Sequence, residues 1–193
     1  MEPMSVSADK KAIRQKAFKL IREYSFQFGD FTLSSGERST YYLDMKATLF
    51  RPDAVAPLAD LVLDRISGLK AAYIGGVELG AVPLISPIVM RAMSRGKRLP
   101  GFFVRKEKKK HGTRRLIEGV VPGELRGKNV VILDDVTTTG ESVMHAVSAV
   151  QEEGANVVLV LSIVDREAGA DALFKKAGIP FDSLFRASAF LPS

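Results

Sequence analysis

The sequence contains no cysteine among its 193 residues. Disulfide bonds, thiolate zinc sites and cysteine nucleophiles are therefore excluded. Long hydrophobic runs are also absent: the longest strongly apolar stretch, residues 157–164, is far shorter than the roughly 20 residues that a membrane-spanning helix needs. Residues 1–11 lack the apolar segment of a secretory signal, so we expect a cytoplasmic protein without a membrane partner.

The chain shows no internal repeat, low-complexity tract or interdomain linker, and its length suits one domain with a substantial core. Between residues 71 and 178, apolar segments typical of strands alternate with helical patterns. This alternation predicts a parallel sheet that is covered by helices on both faces. Short strands near residues 31–33 and 41–44 should form a small addition at the C-terminal edge of that sheet.

Residues 130–142, VVILDDVTTTGES, form the most informative segment. Residues 130–133 predict a buried strand, and the acidic pair Asp134 and Asp135 is expected directly after its end. Three threonines and Gly140 follow, and then a helical pattern begins. The segment therefore predicts a strand, a turn and a helix, with polar side chains where the strand ends.

This order of residues favours a phosphorylated sugar as the ligand. Ligands of open α/β sheets bind at the carboxyl ends of the strands, and a helix N-terminus at that edge attracts phosphate. Threonine hydroxyls add hydrogen-bond donors, and Gly140 lets the backbone come close to a ligand. Two carboxylates would repel a phosphate, so they should face sugar hydroxyls or a metal ion. The sequence thus predicts a ribose 5-phosphate site.

The segment resembles the phosphoribosyl-pyrophosphate (PRPP) binding motif of the type I phosphoribosyltransferases. The resemblance implies that family's α/β fold, with a central, mainly parallel sheet flanked by helices, in a single domain over residues 1–193. It implies a small N-terminal hood, mainly residues 1–50, and a core over residues 51–193. It also implies Mg²⁺ bound mainly through PRPP, without direct protein ligands. The implied PRPP contacts in this motif are Asp134, Asp135, Val136, Thr137, Thr138, Thr139, Gly140, Glu141 and Ser142.

The net charge of +6 is concentrated in residues 105–115. That segment holds seven of the 28 Lys and Arg residues and one of the 22 acidic residues, so the rest of the chain is neutral, with 21 of each sign. A cluster of this kind can serve a polyanionic small molecule or an RNA, or it can be a solvated loop. Beside a phosphosugar motif we favour the small polyanion, because a diphosphate needs compensating cations.

Residues 105–112 resemble the mobile catalytic loop of the same family. The resemblance places Arg105, Lys106, Lys109 and His111 on the phosphates of PRPP. It implies catalytic roles for Arg105, Lys109 and His111, together with the acidic pair. In that family the loop of one subunit closes over the neighbouring site, so a homodimer with shared active sites is implied.

Three further segments resemble the orotate-specific branch of the family, which forms orotidine 5′-monophosphate in pyrimidine (UMP) biosynthesis. Residues 28–44 resemble its hood, in which Tyr41 and Tyr42 lie against the pyrimidine. Residues 75–80 occupy the position of its diphosphate-binding loop. Arg166 matches its orotate-binding arginine. A guanidinium fork suits a planar carboxylate. Arg166 could instead pair with Asp165 or Glu167. The resemblance adds Thr138 as an orotate contact.

Two positions depart from the branch, because many relatives have lysine where this chain has Ser34 and Leu79. A neighbouring cation or the backbone of Ser34 could compensate. The alternative functions are a purine or uracil phosphoribosyltransferase and a PRPP-sensing regulator that binds nucleic acid through the basic segment. Because the rest of the chain is neutral, we expect no nucleic-acid partner. His145 is interpreted as a structural helix residue.

Overall fold

A computed structural model describes residues 6–32, 38–107 and 115–192. Ser34, Lys109 and His111 lie outside the described residues. No helix in the described ranges combines the length and hydropathy that a bilayer crossing requires. The elements in chain order are α1 (Val6–Tyr24), β1 (Phe26–Thr32), β2 (Arg38–Leu43), α2 (Lys46–Leu49), α3 (Pro52–Ile66), β3 (Tyr73–Gly76), α4 (Val82–Ser94), β4 (Phe103–Val104), β5 (Ile117–Glu118), β6 (Asn129–Thr137), α5 (Glu141–Glu152), β7 (Asn156–Asp165), α6 (Ala170–Lys176), β8 (Phe181–Arg186) and a 3₁₀ turn (Ala187–Phe190).

The central sheet has the strand order β3-β6-β7-β8, and all of its neighbouring strands are parallel. Strand β6 is apolar on both sides, since Val131 and Leu133 pack into one hydrophobic cluster and Val130 and Ile132 into the other. A strand that is buried on both faces reads as a continuous apolar run, which is the pattern in the sequence. The predicted sheet, covered by helices on both faces, is confirmed.

The two hydrophobic clusters belong to different helical layers. Helices α1, α3 and α4 cover one face of the sheet, and α5 and α6 cover the other together with the antiparallel pair β4–β5. Helix α3 begins at Pro52, a favourable first position for proline because its missing N–H has no intrahelical acceptor there. Helix α4 begins at Val82 and contains Pro87.

Strand β6 extends further than the sequence indicates. The prediction that Asp134 and Asp135 follow the strand is wrong, because β6 continues to Thr137. The extension is stabilised by β7, where Asp134 pairs with Ser162 and Val136 with Val164. On the other side, β3 already ends at Gly76, which pairs with Leu133. The last residues of β6 therefore have a neighbouring strand on one side only.

The hood is the antiparallel hairpin β1–β2, as the sequence predicts. Its inner aromatic side chains attach it to the core: the ring of Phe26 stacks on Tyr41 at 5.5 Å and on Phe190 at 4.6 Å between centroids. Tyr41 also contacts Arg166, which directly follows β7. The hairpin thus lies at the C-terminal edge of the sheet.

Candidate functional site

A cavity of about 680 Å³ opens at the C-terminal edge of the sheet. Strand β3 ends at Gly76, and beyond that point the loop of residues 77–80 lines the cavity together with the end of β6. A gap of this kind is where open α/β sheets bind ligands. The cavity is lined by Lys46, Val77, Glu78, Leu79, Gly80, Lys106, Asp134, Asp135, Val136 and Ser142.

The acidic pair is the electrostatic centre of this cavity. Burial, and then the charge of Asp135, raise the pKa of the Asp134 carboxyl to about 7, although the Thr137 hydroxyl donates a hydrogen bond of 2.7 Å to Asp134 Oδ2. Burial also raises the pKa of the Asp135 carboxyl, and the positive charge of Lys46 works against that rise. Two adjacent ionised carboxylates are therefore costly in this cavity. A ligand that brings hydroxyl donors or a cation would relieve that cost.

The loop of residues 77–80 lies directly against the acidic pair. A Cβ atom at Gly80 would lie 2.2 Å from Asp135 Oδ1, so glycine is required there for the loop to approach the carboxylate. The Glu78–Leu79 peptide is cis. Leu79 is 69% exposed and lines the cavity, so this loop offers one carboxylate, that of Glu78, and no cation.

The turn after β6 leads into α5 and presents backbone donors at the same edge. Gly140 caps the helix with φ 87°, and a Cβ atom there would lie 2.9 Å from Phe174 Cε2, so both conformation and packing require glycine. Thr138, Thr139 and Ser142 are exposed. The first N–H groups of a helix have no intrahelical acceptor, so this turn can bind an anion. The hydroxyl proton of Thr137 is already donated to Asp134.

The described start of the basic segment, residues 105–107, is attached to the cavity wall. Glu78 accepts a hydrogen bond of 3.0 Å from the backbone N–H of Lys106, and its other oxygen lies 3.6 Å from Arg105 Nη1. His145 Nε2, on α5, lies 3.1 Å from the carbonyl oxygen of Arg105. His145 therefore contacts the start of the segment, which agrees with a structural role.

Arg166 and Tyr41 come together beside the turn. The Arg166 N–H donates to the Thr137 carbonyl at 2.8 Å, its Nε donates to the Tyr41 hydroxyl at 3.3 Å, and its guanidinium carbon lies 4.8 Å from the centre of the Tyr41 ring. Asp165 accepts from the Glu167 N–H, and Glu167 accepts from the Ser188 N–H. These two acids thus have other partners than Arg166.

Tyr42 is oriented differently from Tyr41. Neighbouring side chains of a strand point to opposite faces, and the Tyr42 ring tilts against Phe31 at a centroid distance of 5.8 Å. Tyr42 is 42% exposed. The structure thus brings Tyr41 to Arg166, whereas Tyr42 lies on the outer face of the hairpin, and its role as a pyrimidine contact stays a prediction.

Sequence reasoning missed Lys46 and did not single out Glu78 as a site residue. Lys46 is the first residue of α2, and its Nζ lies 2.8 Å from Asp44 Oδ1. The only local signal for it is this acid two residues earlier, which also accepts from the Lys46 backbone N–H at 3.0 Å. Lys46 lines the same cavity as Asp135, and this placement depends on packing between distant parts of the chain.

The acidic pair also determines what metal this site can hold. Within the described residues, no three His, Cys, Asp or Glu side chains are grouped so that they could enclose a metal ion. Mg²⁺ takes six oxygen ligands, and it often takes several from substrate phosphates and water. The pair Asp134 and Asp135 fits such an ion when a bound phosphate supplies the remaining ligands.

Comparisons with known proteins agree with this geometry. The phosphoribosyl transferase domain family matches residues 53–178. A curated orotate phosphoribosyltransferase of Bradyrhizobium diazoefficiens is 47% identical over 183 residues, which cover 94% of this chain and 98% of that protein.

Solved structures agree as well. The Mycobacterium tuberculosis H37Rv orotate phosphoribosyltransferase in complex with Fe(III) dicitrate superposes with a TM-score of 0.81 at 34% identity, covering 92% of this chain and 98% of that chain. The complex of the Mycobacterium tuberculosis H37Rv enzyme with PRPP gives a TM-score of 0.77 at 31% identity over the same shares of the two chains.

Proposed function

We propose, from the premise that this chain belongs to the orotate phosphoribosyltransferase family, that it transfers the 5-phosphoribosyl group of PRPP to orotate and releases orotidine 5′-monophosphate and pyrophosphate. One observation carries the proposal: an acidic pair, a helix N-terminal turn and an arginine–tyrosine pair meet at a single edge of the sheet. The similarity to a relative solved with PRPP supports the same ligand here.

The chemistry of the cavity walls favours one orientation of PRPP. Its 5-phosphate would bind the turn of residues 137–142, where hydroxyls and free backbone N–H groups are available. Its ribose hydroxyls would donate to Asp134 and Asp135, which lie next to that turn. The diphosphate would then extend toward the loop of residues 77–80 and the cations Lys46 and Lys106.

Orotate would bind beside the ribose, on the side of Arg166. The Nε–H of Arg166 donates to the Tyr41 hydroxyl, and among the described residues its terminal nitrogens have no hydrogen-bond acceptor, so they can pair with a carboxylate. The Tyr41 ring, which stacks on Phe26 and contacts the Arg166 guanidinium, would hold that guanidinium in place beside the planar base. Thr138 is exposed next to this pair and completes the proposed orotate contacts together with Tyr42.

The reaction needs no covalent nucleophile. The bond from the anomeric carbon to the diphosphate oxygen breaks, the carbon gains oxocarbenium character, and a ring nitrogen of orotate forms the new bond with inversion. The ionised acids Asp134 and Asp135 stabilise positive charge at the ribose, while Arg105, Lys106, Lys109 and His111 stabilise the negative charge of the departing diphosphate. Mg²⁺, when bound to the diphosphate, neutralises part of the same charge.

We also infer a homodimer with shared active sites. Phe50, at the end of α2, and Met90 and Met93, on α4, are each more than 70% exposed. Because α2 packs against α4, these side chains can form an apolar surface that a second copy would cover. Sedimentation velocity should give a dimer, and Met90→Glu should shift it to a monomer.

The cytoplasmic location and the absence of nucleic-acid and membrane partners stay predictions.

The test of the proposed activity is a base panel. The protein is mixed with PRPP and Mg²⁺, and orotate, uracil, adenine or hypoxanthine is added. We expect turnover with orotate, which is monitored through the loss of its ultraviolet absorbance. We expect little turnover with the bases that carry no carboxylate. Turnover of a purine or of uracil in preference would contradict the proposal. Steeply salt-dependent RNA binding without orotate turnover would favour the regulator.

A further inference from the structure

Among the described residues, two lysine side chains from different parts of the chain line the cavity. Lys106 belongs to the start of the basic segment, whereas Lys46 lies at the junction between the hood and the core, as the first residue of α2. The loop of residues 77–80 contributes a carboxylate and an exposed leucine to the same cavity. A polyanion on that side of the cavity would therefore find Lys46 as a positive charge that does not depend on the basic segment.

Lys46 is held in place by its neighbour Asp44. One carboxylate oxygen of Asp44 accepts from both the backbone N–H of Lys46, at 3.0 Å, and its Nζ, at 2.8 Å. An ammonium group has three donors, and the Lys46 side chain is 52% exposed. Two donors therefore remain for a ligand in the cavity.

The position of Lys46 indicates which part of the ligand it would meet. The turn of residues 137–142 is the anion site at one end of the acidic pair. Lys46 lines the cavity together with Asp135 and the loop of residues 77–80, and a Cβ atom at Gly80 of that loop would lie 2.2 Å from Asp135 Oδ1. Lys46 is thus on the side of the loop of residues 77–80, which is the side that the diphosphate of PRPP would occupy.

We propose that Lys46 binds the diphosphate group of PRPP and that Asp44 positions it for this contact. This inference rests on the proposed function, since it takes PRPP as the ligand. A single charged hydrogen bond of this kind changes affinity by about 10- to 100-fold. The effect should be restricted to ligands that carry the diphosphate.

The test compares two products of the proposed reaction. Pyrophosphate contains the diphosphate group, whereas orotidine 5′-monophosphate contains the ribose 5-phosphate and the base but no diphosphate. Binding of pyrophosphate and of orotidine 5′-monophosphate is measured by titration calorimetry in Mg²⁺ buffer, with the unaltered protein, Lys46→Met, Lys46→Gln and Lys46→Arg. Lys97→Met is the matched control, because Lys97 lines a separate cavity with Leu63 and Lys70. Circular dichroism identifies the variants that fold, and either neutral variant suffices.

We expect the neutral variants to bind pyrophosphate about 10- to 100-fold more weakly and orotidine 5′-monophosphate as before. Lys46→Arg should restore most of the pyrophosphate affinity, and Lys97→Met should change neither. Unchanged pyrophosphate binding, or an equal or larger loss for orotidine 5′-monophosphate, would overturn the role of Lys46. Turnover of PRPP and orotate by the unaltered protein tests the proposed function separately.

Discussion

The acidic side and the cationic side of the cavity are built in different ways. Asp134 and Asp135 belong to β6, whose first residues pair with both β3 and β7 and whose last residues, the acids included, follow on from that central part and pair with β7. The cations come from the periphery: Lys46 begins a four-residue helix, and Lys106 follows the two-residue strand β4. The ribose side is thus carried by the sheet, and the diphosphate side by short elements around it.

This difference corresponds to the requirements of the two halves of the proposed reaction. The acids must stay buried although burial raises the pKa of both, and the pairing of β6 with β7 holds them there. The cations must admit a diphosphate and later release it as pyrophosphate, so they are better placed on elements with few packing contacts. The following variants should separate the two sides.

The largest effect is expected on the cationic side, with Lys109→Ala. Turnover should fall about 10²- to 10³-fold, because the charge that Lys109 would meet grows as the diphosphate departs. The Michaelis constant for PRPP should change much less. Steady-state kinetics measure both constants, and an equal loss in both would count against a role in the transition state.

On the acidic side, Asp134→Asn should lower turnover less than Lys109→Ala does and yet stabilise the protein. The folded-state pKa of Asp134 is about 7, above the ordinary value of 3.8, so the folded protein holds a proton that the unfolded chain releases. The folded protein therefore loses stability as the pH rises from the ordinary pKa to the folded-state pKa. The variant avoids this loss. Its free energy of unfolding should exceed that of the parent by about 2–4 kcal/mol at pH 8, and the difference should vanish near pH 4. Urea denaturation at both pH values measures it, and a gain that is independent of pH would contradict the assignment.

Arg166→Ala tests the orotate side, which adjoins the acids. The Michaelis constant for orotate should rise about 10- to 100-fold, because a carboxylate loses a charged, two-pronged partner. That for PRPP should stay nearly constant. Arg166→Lys retains the charge without the planar fork and should recover only part of the affinity. Kinetics with unchanged orotate dependence would remove Arg166 from the pyrimidine site.

The smallest effect is expected where the two sides meet, at Glu78. Glu78→Gln keeps an acceptor for the Lys106 N–H but removes the negative charge near Arg105. Because this ion pair is partly exposed, its removal should lower the Michaelis constant for PRPP by only about 2- to 5-fold. A rise would show instead that the Glu78 charge is needed to hold Arg105.

The sequence was sufficient for the parts of the site that are contiguous in the chain. The apolar run before Asp134, the threonines and Gly140 predicted a strand, a turn and a helix, and these elements exist, with a shifted end of the strand. Anion binding by the turn stays a prediction. The bounds shifted because pairing with β7 extends the strand beyond its apolar residues. Local hydrophobic pattern cannot register a partner strand that lies later in the sequence.

The chain by itself determined the parallel α/β sheet, the acidic pair with its turn, and the concentration of positive charge in residues 105–115. Only the tertiary structure decided that Lys46 lines one cavity with Asp135, that Glu78 pairs with the start of the basic segment, and that Arg166 contacts Tyr41 rather than its neighbouring acids. The reason is physical: periodicity and residue type encode which face of an element is buried. Contacts between distant side chains arise only when the packed core brings those faces together.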